Sequence, residues 1–250
     1  MILNKKITGI IPARYNSFRF PGKPLIELLG KPMVLWVAEL SAKVLGRENL
    51  FIATDDNRIK KVVETAGFNV VMTSSTHPTG TDRLAEVARK IKSDIYINIQ
   101  GDEPTINPDI LMKVVEKKIN NPNSVICAMT KLDSREDPNN INIPKVIVNE
   151  NMDMVYMSRL GIPGFKNEVN KPKSYYKQVC VYAFNREQLI SFGDFGRKSK
   201  LEGCEDIEIL RFLDLNTSIK MVEVDGISYA VDVKEDIDIV TNRLKEIHKK

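Results

Sequence analysis

Short apolar runs alternate with amphipathic stretches over the first 131 residues, and this alternation leaves the chain few architectures. "KITGIIP" reads as a buried strand. "KPMVLWVAELSAKVL" reads as a helix, with Pro32 suited to its first turn and Met33, Trp36, Val37 and Leu40 at helical spacing. "NLFIATD" is again a strand, "NRIKKVVETAG" a helix closed by Gly67, and "NVVMT" a short strand. "TDRLAEVARKI", "DIYINIQGDEP", "PDILMKVVEKKI" and "SVICAMTKL" continue as helix, strand, helix and strand. Strands joined through helices pair in parallel and need cover on both faces. The expected fold is therefore α/β, a doubly wound and mostly parallel sheet.

Near residue 131 the rhythm changes. Residues 131–200 are richer in Asn, Pro and Lys, with short alternating strands such as "KVIVN" and "KQVCVYAFN". They read as an inserted antiparallel region, serving as lid, dimer surface or both, between core segments 1–130 and 201–250. The second core segment holds a helix "CEDIEILRFLDLN", strands around "IKMVEV" and "SYAVDV", and a last helix "KEDIDIVTNRLKEIHK". "YAVDV" is expected to rejoin the first sheet.

Composition removes several function classes. A chain of 250 residues with 42% hydrophobic content can bury the core of one large domain or two unequal ones. The net charge is only +4 and its basic residues are scattered, which is no nucleic-acid footprint. Cys127, Cys180 and Cys204 are too few and too dispersed for a disulfide framework or a zinc site, and imply a reducing compartment. The N-terminus lacks a signal-peptide pattern, and no run reaches the roughly 18 apolar residues a membrane span needs. A soluble cytoplasmic protein without membrane insertion is expected.

Four stretches can carry chemistry. "IIPARYNSFRFPGKP" leaves a strand and at once places Arg14, Arg19 and Lys23 on one short loop. Cations this close repel, so the loop either surrounds an anion such as a triphosphate or is a solvated basic turn. Gly22 would admit a phosphate close to the backbone, although the Walker A and G-x-G-x-x-G patterns are absent. "YINIQGDEP" delivers Gln100, Gly101, Asp102 and Glu103 at a strand end, where a carboxylate suits Mg²⁺ or simply caps the next helix. In "THPTGTDRLAEV", Thr79 to Asp82 form a helix cap, which leaves Arg83 to read a nucleobase or a phosphate. In "YAVDVKED", Asp232 could meet Asp102 in space. His77 and His248 read as solvated, and Met152, Met154 and Met157 as strand core.

In order, "IIPARYNSFRFPGKPL", "ATDD", "TGTDR", "NIQGDEP", "SRLGIP", "LEGCEDIEILR" and "AVDVKED" resemble the CMP-Kdo synthetase family, the 3-deoxy-manno-octulosonate (Kdo) cytidylyltransferases, over roughly residues 6–245. The resemblance implies a nucleotidyltransferase sheet in a homodimer, with 131–200 serving the dimer and the sugar pocket. It implies that CTP and a 2-keto-3-deoxy sugar acid, Kdo first among them, give a CMP-sugar for surface polysaccharide. Arg14, Lys23 and Asp102 would be catalytic. Ala13, Arg14, Lys23, Thr81, Arg83, Gln100 and Asp102 would hold CTP, and Asp102 and Asp232 would hold Mg²⁺. Gln100, Arg159, Gln178, Tyr182, Glu202 and Glu205 would face the sugar acid. Two departures fall in the sugar half: Gln178 replaces the histidine of an H-x-G-x-Y pattern, and Gly203-Cys204 replace bulkier residues. They leave open a modified octulosonate, such as an amino sugar, or a nonulosonate.

Overall fold

The computed structural model describes residues 5–16, 20–225 and 229–248. Ser17, Arg19, Ser228 and the His248 side chain, all singled out above or within a quoted strand, lie outside the described residues. The chain opens with β1 (Ile7–Pro12), a small hairpin of β2 (Glu27–Leu28) and β3 (Lys31–Pro32), and α1 (Met33–Leu45). β4 (Leu50–Thr54), α2 (Asn57–Thr65), β5 (Asn69–Met72), α3 (Gly80–Lys90), β6 (Ile95–Ile99), α4 (Pro108–Asn120) and β7 (Val125–Lys131) follow. The second half runs β8 (Lys145–Val148), β9 (Met154–Ser158), β10 (Tyr176–Phe184), α5 (Arg186–Asp194), α6 (Lys200–Glu205), α7 (Arg211–Asp214), β11 (Ile219–Glu223) and α8 (Asp236–His248).

The main sheet has the order β11-β7-β10-β6-β1-β4-β5, with β8 and β9 built outward from β10. Within that path β10 alone is reversed, antiparallel to both β6 and β7, while the other pairings are parallel. The sheet is thus α/β and mostly parallel, as expected. The insertion is less separate than its sequence implies, because β10 lies inside the sheet between two core strands. The expected strand at "SYAVDV" is absent among the described residues. Instead Tyr229 N donates to Thr105 Oγ1 at 2.8 Å and Val231 N to the Asp102 carbonyl at 2.9 Å, so this segment docks on the loop after β6.

Strand side chains alternate between faces, and here both faces are buried. Ile11, Ile95, Ile97 and Ile99 join the core under α1, α2 and α4, whereas Ile10 and Tyr96 join the core under α3 and α5. Each such side chain contributes about 1.5–3 kcal/mol relative to exposure. Met154 and Met157 belong to the second core, as read. A third cluster joins Phe20, Leu28, Met33 and Trp36 to Val231, Val240 and Leu244. It seats α8 against the segment after β1, and Trp36 Nε1 donates to the Leu28 carbonyl at 2.8 Å to close the hairpin.

The order of connection positions the site. From β1 the chain moves to β4 and β5 on one side, then returns to place β6 on the other. The carboxyl ends of β1 and β6 therefore diverge at a topological switch point, where open α/β sheets bind ligands.

Candidate active site

β1 ends in Pro12, Ala13 and Arg14, and Ala13 N donates to the Ala53 carbonyl at 2.8 Å, which fixes where the loop departs. Gly22 has φ of 73° and caps the short helical turn Lys23–Leu25. A Cβ there would also lie a tight 3.2 Å from the Tyr15 ring, so the positive φ and the close approach both favour glycine. β6 ends in Gln100, Gly101 and Asp102. A Cβ on Gly101 would stand 3.0 Å from the Pro12 carbonyl oxygen, the direct result of β1 and β6 running side by side.

Lys23 Nζ lies 2.6 Å from Asp102 Oδ2 and 3.6 Å from Asp232 Oδ1. Its ammonium therefore bridges two carboxylates supplied by distant parts of the chain. Val231 brings Asp232 there through its bond to the Asp102 carbonyl. Ala13, Arg14, Lys23, Arg83, Gln100, Asp102 and Asp232 all line one cleft, together with Pro12, His77, Thr79 and Gly80.

The far wall is the start of α3. Thr79 Oγ1 accepts from Asp82 N at 3.1 Å and donates to Asp82 Oδ2 at 2.7 Å. Thr81 N donates to Glu208 Oε2 at 3.1 Å. Burial pushes the Glu208 carboxyl above its ordinary pKa, against the pull of hydrogen bonds from Thr81 and Thr79. Glu208 was not singled out from the sequence, because a glutamate in "EDIEILR" reads as a solvated helical charge. Arg83 lines the cleft, but its guanidinium is tied to the Thr73 hydroxyl and, at 3.0 Å, to Asp55 Oδ2.

His77 corrects its sequence reading. It is not merely solvated, for it lines the cleft with Nε2 2.5 Å from Glu86 Oε2. Burial alone would raise the Glu86 pKa, but hydrogen bonds from Lys90, the Ser74 N–H and His77 bring it to about 2.

The residues assigned to the sugar half stand differently, since Gln100 is the one among them that lines this cleft. Gln178 Nε2 donates to Tyr182 Oη at 2.8 Å, beside a register shift between Val179 and Tyr182 in the pairing of β10 with β7. Such bulges re-aim side chains. Burial raises the pKa of both Tyr182 and Cys180. The Arg159 guanidinium is engaged by backbone carbonyls, from Nε to Glu205 at 2.5 Å, Nη1 to Ile141 at 2.9 Å and Nη2 to Asp206 at 3.0 Å. Glu205 Oε2 accepts from Arg159 N at 2.9 Å. Glu202 faces inward, 1% exposed, with both oxygens 2.7 Å from the guanidinium of fully buried Arg211. Arg211 also binds Asp82 at 2.7 Å. A buried guanidinium needs such counter-charges, and that requirement accounts for the inward turn of Glu202.

Asp102 and Asp232 provide hard oxygen donors beside a cleft able to admit phosphates, a set that fits a divalent cation. Among the described residues no group of three or more His, Cys, Asp or Glu could hold a metal by itself, so a cation held by this pair would take its further oxygens from water or a bound ligand.

The model of the family described as "Cytidylyltransferase" matches residues 8–221. A 3-deoxy-manno-octulosonate cytidylyltransferase of Geobacter metallireducens is 39% identical, over 96% of this chain and 98% of its own length. The Escherichia coli protein of that name is 36% identical over 91% of both chains. Among solved structures, CMP:2-keto-3-deoxy-manno-octonic acid synthetase complexed with CTP superposes with a TM-score of 0.89 at 34% identity, covering 97% of this chain and 99% of its own. The chain belongs to the 3-deoxy-manno-octulosonate cytidylyltransferase family. As a cytidylyltransferase it shares its fold more widely. 4-Diphosphocytidyl-2C-methyl-D-erythritol synthase of Anaerococcus prevotii reaches a TM-score of 0.65 at 15% identity, a likeness of fold alone. No helix among the described residues of this cytidylyltransferase is long and apolar enough to cross a membrane.

Proposed function

We propose that the chain couples CTP to Kdo and releases pyrophosphate. A bond forms from the anomeric hydroxyl oxygen to the α-phosphorus. The bond from that phosphorus to the oxygen bridging the α- and β-phosphates breaks, pyrophosphate leaves with the electron pair, and the hydroxyl proton passes to solvent or to a phosphate oxygen. The observation that carries this reading is the convergence of Arg14, Lys23, Asp102, Asp232 and the turn before α3 on one cleft at the switch point. In it Arg14 and Lys23 hold the triphosphate, while Ala13, Arg83 and Gln100 lie along the nucleotide; Thr81, expected there from the sequence, is instead fully buried behind the cleft with its N–H on Glu208. Asp102 and Asp232 hold Mg²⁺, which when bound neutralises charge on the phosphates. Catalysis then rests on positioning and electrostatic stabilisation. Gln100, Tyr182, Gln178, Arg159 and Glu205 border the sugar acid, and Glu208 takes the place that Glu202 vacates by turning toward Arg211.

Val155, Leu160 and Ile141 are exposed apolar side chains on and beside β9, within residues 131–200, and they suit a homodimer with this region at its centre. Light scattering should give a mass twice that of one chain. The setting is the cytoplasm, and the product feeds bacterial surface polysaccharide. A second acceptor, an amino-substituted octulosonate, is favoured by one observation, the amide of Gln178 bonded to Tyr182. Pyrophosphate release measured with CTP across Kdo, its amino-substituted analogues and nonulosonates tests both readings. Turnover with an octulosonate is expected, and the absence of turnover with any of them overturns the proposal.

A further inference from the structure

The reaction needs a means of choosing cytosine over uracil, and the cleft holds one histidine that the phosphate and metal roles leave unused. Glu86 Oε2 accepts from the Ser74 backbone N–H at 2.8 Å, and Glu86 Oε1 accepts from Lys90 Nζ at 2.6 Å. Neither of those groups can accept, so Glu86 is an acceptor throughout, and the third member of its shell, His77 Nε2 at 2.5 Å, must carry its proton toward it. While the ring is neutral, the other nitrogen is then a hydrogen-bond acceptor, and it is this neutral form that would act on a base; a protonated ring would donate from both nitrogens. Among the described residues Nδ1 meets no hydrogen-bond partner, and the ring lines the cleft. The charged groups Lys23, Asp102 and Asp232 cluster at one end, within 3.6 Å of the lysine nitrogen. His77 belongs to the turn before α3, two residues from the cap Thr79 and close to Gly80, which packs on Pro12. We take the triphosphate to lie at the charged end and the base against this turn. Arg83, on the same wall, is already committed to Asp55 and Thr73.

We propose that His77, with its tautomer set by Glu86, is the residue that selects cytosine, Nδ1 accepting from the exocyclic amino group. At the same ring position uracil carries a carbonyl oxygen, which would face Nδ1 acceptor to acceptor. The selectivity is thus written in a carboxylate that touches no substrate. The inference rests on the cleft being the CTP site.

Isotope-labelled wild-type protein, CTP and UTP provide the test. The chain has 2 histidines, so the ¹⁵N signals of the His77 ring can be assigned by substitution, and they should show Nε2 protonated and Nδ1 bare. His77→Ala should weaken CTP binding about tenfold, the scale of one lost hydrogen bond in a desolvated site, and leave UTP binding within about twofold. Glu86→Gln can donate an amide N–H to Nε2 and so release the opposite tautomer. It should lower the CTP-to-UTP affinity ratio by about tenfold or more, with kcat for saturating CTP changed far less. Lys23→Ala titrated in parallel separates the layers. If it binds CTP as the wild type does, the cleft is not the nucleotide site and the inference falls with that reading. If it loses affinity while both His77→Ala and Glu86→Gln keep the wild-type ratio within about twofold, the inference alone is overturned.

Discussion

The two halves of the cleft's surroundings use polar residues in opposite ways. Around β1, β6 and α3, charged side chains stand on loops at strand ends, and Lys23, Asp102 and Asp232 neutralise one another across open space. Between β8 and α7 they turn inward. Arg159 holds three carbonyls, Glu202 and Asp82 share Arg211, and Gln178 holds Tyr182. The first half gathers its charges on the walls of one cleft, while the second uses them in its own construction.

The largest expected effect would test the second half. Arg211→Met leaves Glu202 and Asp82 buried opposite no charge and should cost about 3–5 kcal/mol of stability, read from urea unfolding. Unchanged stability together with weaker sugar-acid binding would instead make this network part of the sugar site, and the contrast between halves would collapse. The complementary test removes a charge from the first half. Lys23→Ala should keep its urea midpoint and lose turnover on the order of a hundredfold or more, because a cation aimed at developing phosphate charge is gone. A folded variant with near-normal kcat would remove Lys23 from the chemistry. Asp232→Asn follows at smaller scale. It should raise the Mg²⁺ concentration for half-maximal activity about tenfold, since one of the two carboxylates facing Lys23 is neutralised. Unaltered Mg²⁺ dependence would dissociate Asp232 from the metal.

The same contrast explains what could be read from sequence. The parallel core was legible because strands buried on both faces and helices with one apolar face leave unmistakable patterns, as in "YINI" and "RIKKVV". The meeting of Lys23, Asp102 and Asp232 was legible because loops at the carboxyl ends of parallel strands converge on one edge of the sheet. The antiparallel run of the inserted strands was legible, but the place of β10 inside the main sheet, between β6 and β7, was hidden, since nothing local reports which strands a segment will pair with. Glu202 was misplaced and Glu208 overlooked for one reason. Both lie on short helices with similar acidic neighbours, and only the buried position of Arg211 decides which of them turns inward. His77 was discounted because its partner Glu86 lies on the following helix, and a lone histidine in a polar stretch carries no sign of the carboxylate that orients it.

Lys118 sits where the halves are joined. Its Nζ donates to the Ser124 carbonyl at 2.7 Å, to Gln188 Oε1 at 2.8 Å and to the Pro122 carbonyl at 3.0 Å, tying α4 to the cap of α5 without a carboxylate. Burial, aided by the charge of Lys5, lowers its pKa to about 7. The unfolded lysine titrates near its ordinary value of about 10.4, so between about pH 7 and 10 the unfolded chain holds the extra proton. Stability therefore rises with pH across that window and is lowest below it, where the proton is bound in both states at the full cost of burial. Urea midpoints at pH 6.5 and 9.5, taken as roughly the two ends of the window, should show this gain in the wild type and lose it in Lys118→Met. An equal gain in both would place the pH dependence elsewhere.

The smallest effect concerns Gln178, the departure that first set the sugar half apart. Its amide already donates to Tyr182 Oη, so the phenol must send its own proton to another acceptor, on the protein or on the sugar. A neutral histidine at 178 can supply the same donor from one ring nitrogen, and Gln178→His should therefore act on Kdo within a few-fold of the wild type. The difference should appear with pH. An imidazole titrates near 6.5 and an amide does not, so the kcat/KM of the variant for the sugar acid should show a change between about pH 6 and 8 that the wild type lacks. The same assay with an amino-substituted octulosonate settles the acceptor. A glutamine facing the wrong group leaves a buried amide without its partner, which typically costs about 1–3 kcal/mol, or roughly tenfold or more in selectivity. A wild-type preference of that size for the amino sugar, reversed in Gln178→His, would make Gln178 a ligand contact like those at the strand ends. Equal preference in both proteins would leave it part of the internal framework that holds Tyr182.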